Sequence, residues 1–222
     1  MEKIIAPTAA QHMSLPTDND IITIDDAKLL VWEITKSSDE LLSKFDDFTL
    51  FAVDFNKISS EKRKLEFLGI RWLLKILLEK ETNVLYNAEG KPFLYNGCPH
   101  ISISHSGNWM AVMIHPTKHI GIDIECPTDK IQKVYKRFLS KTEQFELSNG
   151  KDYKQLLIAW SAKEALYKII GKEAVDFAKQ LRLMPFEVKA EGKITALHLS
   201  TNTVYKLTYS QTKAYTLVHC IA

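Results

Sequence analysis

Two short stretches of the chain carry residue types at spacings that can do chemistry. In GIDIE, Gly121 to Glu125, an extended backbone turns Asp123 and Glu125 to one face and Ile122 and Ile124 to the other. Two carboxylates sharing a face raise each other's pKa and repel by a few kcal/mol near a protein surface, unless something positive sits between them. In QLLIAWSAKEALYKIIG, residues 155–171, Trp160, Glu164 and Lys168 recur at i, i+4 and i+8 and form one helical stripe, with Lys163 beside it. A third carboxylate and a lysine stand in line, a spacing that an exposed Glu164–Lys168 ion pair also satisfies, just as a solvated edge face satisfies the strand pair. Spacing alone leaves those readings open.

Other segments offer cations and hydroxyls. SHSG, Ser104 to Gly107, sits between two expected strands and presents hydroxyls, an imidazole and a glycine that admits close backbone approach. That set suits phosphate oxygens, and a packed structural histidine is the alternative. A serine-protease reading fails, because G-x-S-x-G is missing and adjacency of His105 to Ser104 in sequence defines no nucleophile–base pair. Lys64, Arg71 and Lys75 stand at i, i+7 and i+11 on one helix face, with Arg63 next to it; they read either as a solvated face or as an anion site. GKP at 90–92 is a turn presenting one cation. His115 and His119 have helical metal-ligand spacing, but Pro116 and the flanking strand patterns put them in a turn.

These residues need elements to hold them. IITI (21–24) and KLLVWEIT (28–35) read as strands joined by an Asp25-Asp26 turn, and LFAVDF (50–55) as a third. Leu65, Leu68, Trp72 and Ile76 repeat at helical spacing from Glu61 to about residue 80. Strands follow at 100–104, 108–115 and 119–125. Ser140 and Glu143 have the spacing of a capping box at a helix start, and Gly171 ends the helix 155–171. The tail alternates apolar and polar residues over 186–190, 193–200, 203–210 and 214–222, with turns at Glu191-Gly192 and Thr201-Asn202, the pattern of an antiparallel meander. The expectation is an α+β fold of two subdomains, residues 1–118 and 119–222, each a helix with a small antiparallel sheet.

Composition narrows the function classes. The chain has 222 residues, 45% of them hydrophobic, enough for an ordinary core. With 29 Lys+Arg against 27 Asp+Glu the net charge is only +2, too mild for non-specific binding to nucleic acid or membrane. WLLKILL is the most apolar stretch and falls far short of the roughly 20 residues of a membrane span. The early Glu2 and short apolar run before Pro7 do not read as a secretory signal, so a cytoplasmic location is expected. Cys98, Cys126 and Cys220 lack paired spacing and read as reduced thiols.

Taken together, G-I-D-I-E, about forty residues, and then W-S-A-K-E-A-L-Y-K resemble the two signature motifs of the 4′-phosphopantetheinyl transferases. GKP at 90–92, SISHSG at 102–107 and RFLSKTE at 137–143 extend the resemblance over about residues 60 to 172, in the order of the surfactin-type, two-subdomain class. The resemblance implies two similar subdomains forming a pseudo-dimer, with the site between them. It implies magnesium, or manganese in its place, held by Asp123, Glu125 and Glu164, which would make a divalent cation the positive partner. Coenzyme A is the implied co-substrate, with Lys168 on its phosphates, Ser104 and His105 on its 3′,5′-ADP portion, and Arg63, Lys64, Arg71, Lys91, Pro92 and Asp123 as further contacts. The implied reaction moves 4′-phosphopantetheine to a serine of an apo acyl or peptidyl carrier protein and releases 3′,5′-ADP. Glu164 and Lys168 are the catalytic candidates, the serine proton going to Glu164 or to a metal-bound water. The expected molecule is a monomer that binds neither nucleic acid nor membrane. A carrier-binding module without catalysis is opposed by the intact acidic trio and Lys168. Another magnesium-dependent nucleotide enzyme is opposed by the lack of any Walker loop or G-x-G-x-x-G.

Overall fold

The computed structural model describes residues 14–147, 150–171 and 175–222 and divides into two compact units, Met1–Thr117 and Lys118–Ala222. The expected α+β class holds: helices lie on antiparallel sheets in both.

In the first unit, β1 (Ile22–Ile24) and β2 (Ala27–Glu33) form a hairpin whose two turn residues, Asp25 and Asp26, both take positive φ, as a tight primed turn requires. β3 (Leu85–Tyr86) and β4 (Pro92–Phe93) make a small ribbon, while β5 (His100–Ser106) and β6 (Trp109–His115) complete a four-stranded sheet of order β1-β2-β6-β5. Short α1 (Ser38–Leu42) and α2 (Ala52–Asn56) precede the long helix α3 (Glu61–Leu78). Leu68, Leu73, Leu74 and Leu77 of α3 share a core with Leu30, Trp32, Met110 and Val112. The strand expected at 50–55 is not one. Asp47 caps a 3₁₀ turn by accepting from the Thr49 N–H, and helix α2 follows. Phe48, Phe51 and Phe55 stand at i, i+3 and i+7 and stack edge to face, so a helical period was hidden inside a short apolar run.

In the second unit, β7 (Ile120–Glu125), β8 (Leu181–Leu183), β9 (Glu191–His198), β10 (Thr203–Gln211) and β11 (Thr216–Ile221) form a sheet of order β7-β11-β10-β9-β8. The helices are α4 (Ile131–Phe138), α5 (Lys141–Glu146), α6 (Tyr153–Ile170) and α7 (Phe177–Gln180). The Ser140–Glu143 capping box opens α5, and Gly171 caps α6. The expected strand at 186–190 is replaced at the sheet edge by β8. Pro185 precedes residues 186–190, whose backbone is satisfied by side chains instead of a ladder: Phe186 O accepts from Gln155, Glu187 O accepts from the Tyr209 hydroxyl, and the Lys189 N–H donates to the Tyr209 hydroxyl oxygen. Glu191 and Gly192, expected as a turn, are ladder residues opposite Ser210 and Tyr209. Among the described residues no helix is long and apolar enough to cross a membrane, and the three cysteines are free thiols.

Candidate functional site

Helix α6 lies directly on strand β7, and Gly121 is what permits it. A Cβ at that position would collide with the Ala165 carbonyl oxygen, so no other residue fits without moving the helix. Gly121, Asp123 and Glu125 share one face of β7 by strand alternation, so the face that meets α6 at Gly121 also carries the two carboxylates. Lys168 donates to Asp123 Oδ1 at 3.0 Å and to the Ile122 carbonyl at 2.6 Å. Trp160 Nε1 donates to Glu125 Oε1 at 3.0 Å. Two of the three stripe residues thus engage β7 directly. The positive partner that the structure shows for Asp123 is Lys168.

Glu164 completes the cluster. Burial, then the negative fields of Asp123 and Glu125, push its carboxyl up to about 7, while Lys168 pulls the other way. Glu164 therefore feels the other two carboxylates, although among the described residues no three His, Cys, Asp or Glu side chains converge into a ready ligand shell.

Lys163, one residue from Glu164, turns the opposite way. It and Glu143 are both 0% exposed. The Lys163 ammonium lies 2.8, 2.9 and 2.7 Å from the carbonyl oxygens of Phe138, Phe177 and Leu181, and 2.9 Å from Glu143 Oε2. Glu143 in turn accepts from the N–H groups of Ser140 and Leu183. Burial pushes the Lys163 ammonium's pKa down against the opposing field of Glu143. This clasp fastens α4, α5, α7 and β8 to α6, and thereby fixes the helix that presents Glu164 and Lys168. Sequence spacing marked Glu143 only as a cap; its distance from Lys163 in the chain hid the pair.

The remaining candidates belong to the first unit. Ser104 and His105 lie on β5, Ser104 buried and His105 reaching solvent. Arg63, Lys64 and Arg71 lie on α3. Arg71 is only 3% exposed. Its guanidinium carbon sits 3.3 Å from the centroid of the Phe67 ring, and it donates to the Phe67 carbonyl at 3.2 Å and to Asn83 Oδ1 at 3.1 Å. Burial pushes its pKa down to about 10, so it stays a cation at neutral pH. Its Nε is buried with no hydrogen-bond partner among the described residues. Lys64 stands with Nζ 5.4 Å from the centroid of the Phe55 ring, and Arg63 is exposed. Lys75, on the same face in sequence, is taken up by Asp46, Glu81 and the Lys44 carbonyl. Lys91 and Pro92 close the β3–β4 loop, where Asn87 Oδ1 accepts from the Lys91 N–H, and burial pushes the Lys91 ammonium's pKa down. His115 is structural: Nδ1 accepts from the Thr117 N–H and Nε2 donates to the Asp25 carbonyl, which engages both ring nitrogens. One acid that the sequence reading did not single out, Glu66 of α3, lies 3.5 Å from His105.

Comparison with a family model falls on the unit that holds the acidic cluster. The family model of the 4′-phosphopantetheinyl transferase superfamily matches residues 119–221. The 4′-phosphopantetheinyl transferase AcpT of Salmonella typhi is 30% identical over 118 residues, 50% of this chain and 62% of that protein. The 4′-phosphopantetheinyl transferase Sfp of Bacillus subtilis is 33% identical over 129 residues, 55% of each chain. A further 4′-phosphopantetheinyl transferase of Bacillus subtilis is 32% identical over 141 residues, 60% of each. The alignments thus span between 55% and 62% of these relatives' lengths. The family match covers β7 through β11, including Asp123, Glu164, Lys168 and the Gly121 contact that brings β7 and α6 together, so the second unit is similar to the 4′-phosphopantetheinyl transferase superfamily over residues 119–221.

Proposed function

We propose that this protein transfers 4′-phosphopantetheine from coenzyme A to a serine hydroxyl of an acyl or peptidyl carrier protein, releasing 3′,5′-ADP. The observation that carries the reading is the cluster of Asp123, Glu125 and Glu164 beside Lys168, in which Glu164 is pushed up to about 7. An all-carboxylate donor set burdened with its own negative field fits a hard divalent cation such as magnesium or manganese. Asp123, Glu125 and Glu164 would hold it, and when bound it supplies charge neutralisation at the pyrophosphate.

The chain's own residues account for the rest. Attack of the serine oxygen forms one P–O bond and breaks the P–O bond to the ADP leaving group, so catalysis consists of alignment and charge stabilisation. Lys168, anchored on Asp123 and the Ile122 carbonyl, is a fixed cation for phosphate oxygens. Glu164, pushed up to about 7 by burial and its carboxylate neighbours before any cation binds, would take the serine proton directly or through a water, ligation making it a weaker base. Ser104, His105, Arg63, Lys64, Arg71 and Lys91 are read as contacts to the coenzyme A phosphates and nucleotide. The reading retains a monomer acting in the cytoplasm.

The test is incubation with coenzyme A, Mg²⁺ and an apo carrier protein, followed by mass spectrometry of the carrier. A gain of one phosphopantetheine group is expected. A carrier mass unchanged across acyl and peptidyl types overturns the proposal.

A further inference from the structure

Helix α3 touches the sheet of the first unit at a point that places Glu66 over His105. Met110 of β6 is the ladder partner of His105 on β5. Its side chain lies against Gly69, where an added Cβ would come within 2.5 Å of the Met110 sulfur. The missing side chain lets α3 settle onto the sheet there. One turn back toward the helix N-terminus, residue 66 is carried toward the neighbouring strand. Glu66 Oε1 stands 3.5 Å from His105 Nδ1. The Glu66 side chain is 19% exposed and the imidazole 45% exposed, so a carboxylate held by packing meets a ring open to solvent. Lys62, one turn further back and well exposed, is 3.8 Å from the same oxygen. Glu66 also lines, with Lys62, Gly107 and Asn108, a cleft of about 380 Å³ beside the turn between β5 and β6.

We infer that Glu66 is a positioning residue for His105. Its carboxylate, facing Nδ1 at 3.5 Å, holds the ring so that Nε2 is the nitrogen offered to coenzyme A. The inference rests on the reading of Ser104 and His105 as the loop that holds the ADP portion. An exposed imidazole with two free torsions must be ordered when ligand binds, and a contact made beforehand removes that cost. Glu66 therefore acts on affinity for coenzyme A and not on the bond-making step. A purely structural α3 ion pair with Lys62 would do neither.

The experiment is isothermal titration of coenzyme A with Mg²⁺ present into wild type, Glu66→Ala, Glu66→Gln, His105→Ala and the Glu66→Ala/His105→Ala double variant, with circular dichroism to establish folding and kcat measured on an apo carrier. Glu66→Ala is expected to weaken coenzyme A binding about 5-fold with kcat within about twofold, the scale of one ordered side-chain contact. Glu66→Gln, which keeps an acceptor, recovers most of the loss. In the His105→Ala background Glu66→Ala adds nothing, because its effect passes through the ring. Additive losses, or a loss in Glu66→Ala that Gln does not recover, overturn the inference. Unchanged affinity in His105→Ala overturns both the inference and the assignment of His105. Wild type that binds coenzyme A without transferring it defeats the proposed activity, while the titrations still decide Glu66.

Discussion

Glu164 is a proton-binding site as well as a candidate ligand, and that has a consequence for stability. Its carboxyl is raised from 4.5 to about 7, first by burial and then by Asp123. In that window the folded chain holds this proton and the unfolded one does not, so the contribution of Glu164 to stability is fully present below 4.5 and is lost as pH rises through about 7. Thermal unfolding in chelator from pH 5 to 8 should show this fall, and Glu164→Gln should flatten it; an equally steep fall in the variant removes the account. In turnover, Glu164→Gln and Asp123→Ala should each lower transfer by about 100-fold or more with the fold intact, the scale of removing one preorganised charged group. Rates near wild type in either variant at saturating Mg²⁺ would remove the metal-site reading. The acidic trio was legible because strand alternation and helical spacing fix which residues share a face. Arg71 was legible only as a cation: its seat over Phe67, beside Asn83, depends on which aromatic packs there, and spacing on α3 carries no information about that.

At the scale of elements, α6 is placed by two contacts of opposite character. One is steric: at Gly121 the β7 backbone meets the Ala165 carbonyl. Gly121→Ala should therefore move α6 off β7, separate Lys168 from Asp123 and lower both the melting temperature and transfer; an unshifted melting curve would show that the helix has room. The other is electrostatic. Lys163→Met leaves Glu143 charged and buried, which should cost about 3–5 kcal/mol, whereas pairing it with Glu143→Leu removes the lone charge and should recover part of that, the rest being lost because the Phe138, Phe177 and Leu181 carbonyls and the Ser140 and Leu183 N–H groups keep no partner. Urea midpoints at constant m-value decide it, and a double variant as weak as the single one contradicts the account. Most elements were readable from period and caps: α3, α5, α6, β7 and the β1–β2 turn each have a local signal. Residues 50–55 and 186–190 were misread for the same reason. Five or six residues with apolar side chains satisfy more than one period, and the choice was made by Asp47, Tyr209 and Gln155, partners supplied from outside the pattern or from distant sequence.

For the molecule as a whole, a net charge of +2 gives no long-range field to draw an acidic partner, so any steering must come from a local surface. Helix α4 is the clearest such surface. Ile131 and Phe138 are buried and Val134 and Tyr135 pack on the core, so the opposite side shows Lys133, Lys136 and Arg137 to solvent. Its C-terminal end is held by the Lys163 bond to the Phe138 carbonyl, which makes the display rigid. Carrier proteins as a class are acidic helical bundles, and docking on this face would be electrostatic. Lys133→Glu combined with Lys136→Glu should then raise KM for the carrier about tenfold while leaving KM for coenzyme A unchanged, with the wild-type carrier KM rising as salt screens the contact over about 10 Å. Both lysines are exposed, so the double variant should fold normally. A carrier KM unaltered at low ionic strength would show that α4 is only a solvated face, and would move the docking surface to the exposed apolar residue Phe145 of α5, 84% exposed and next along the chain.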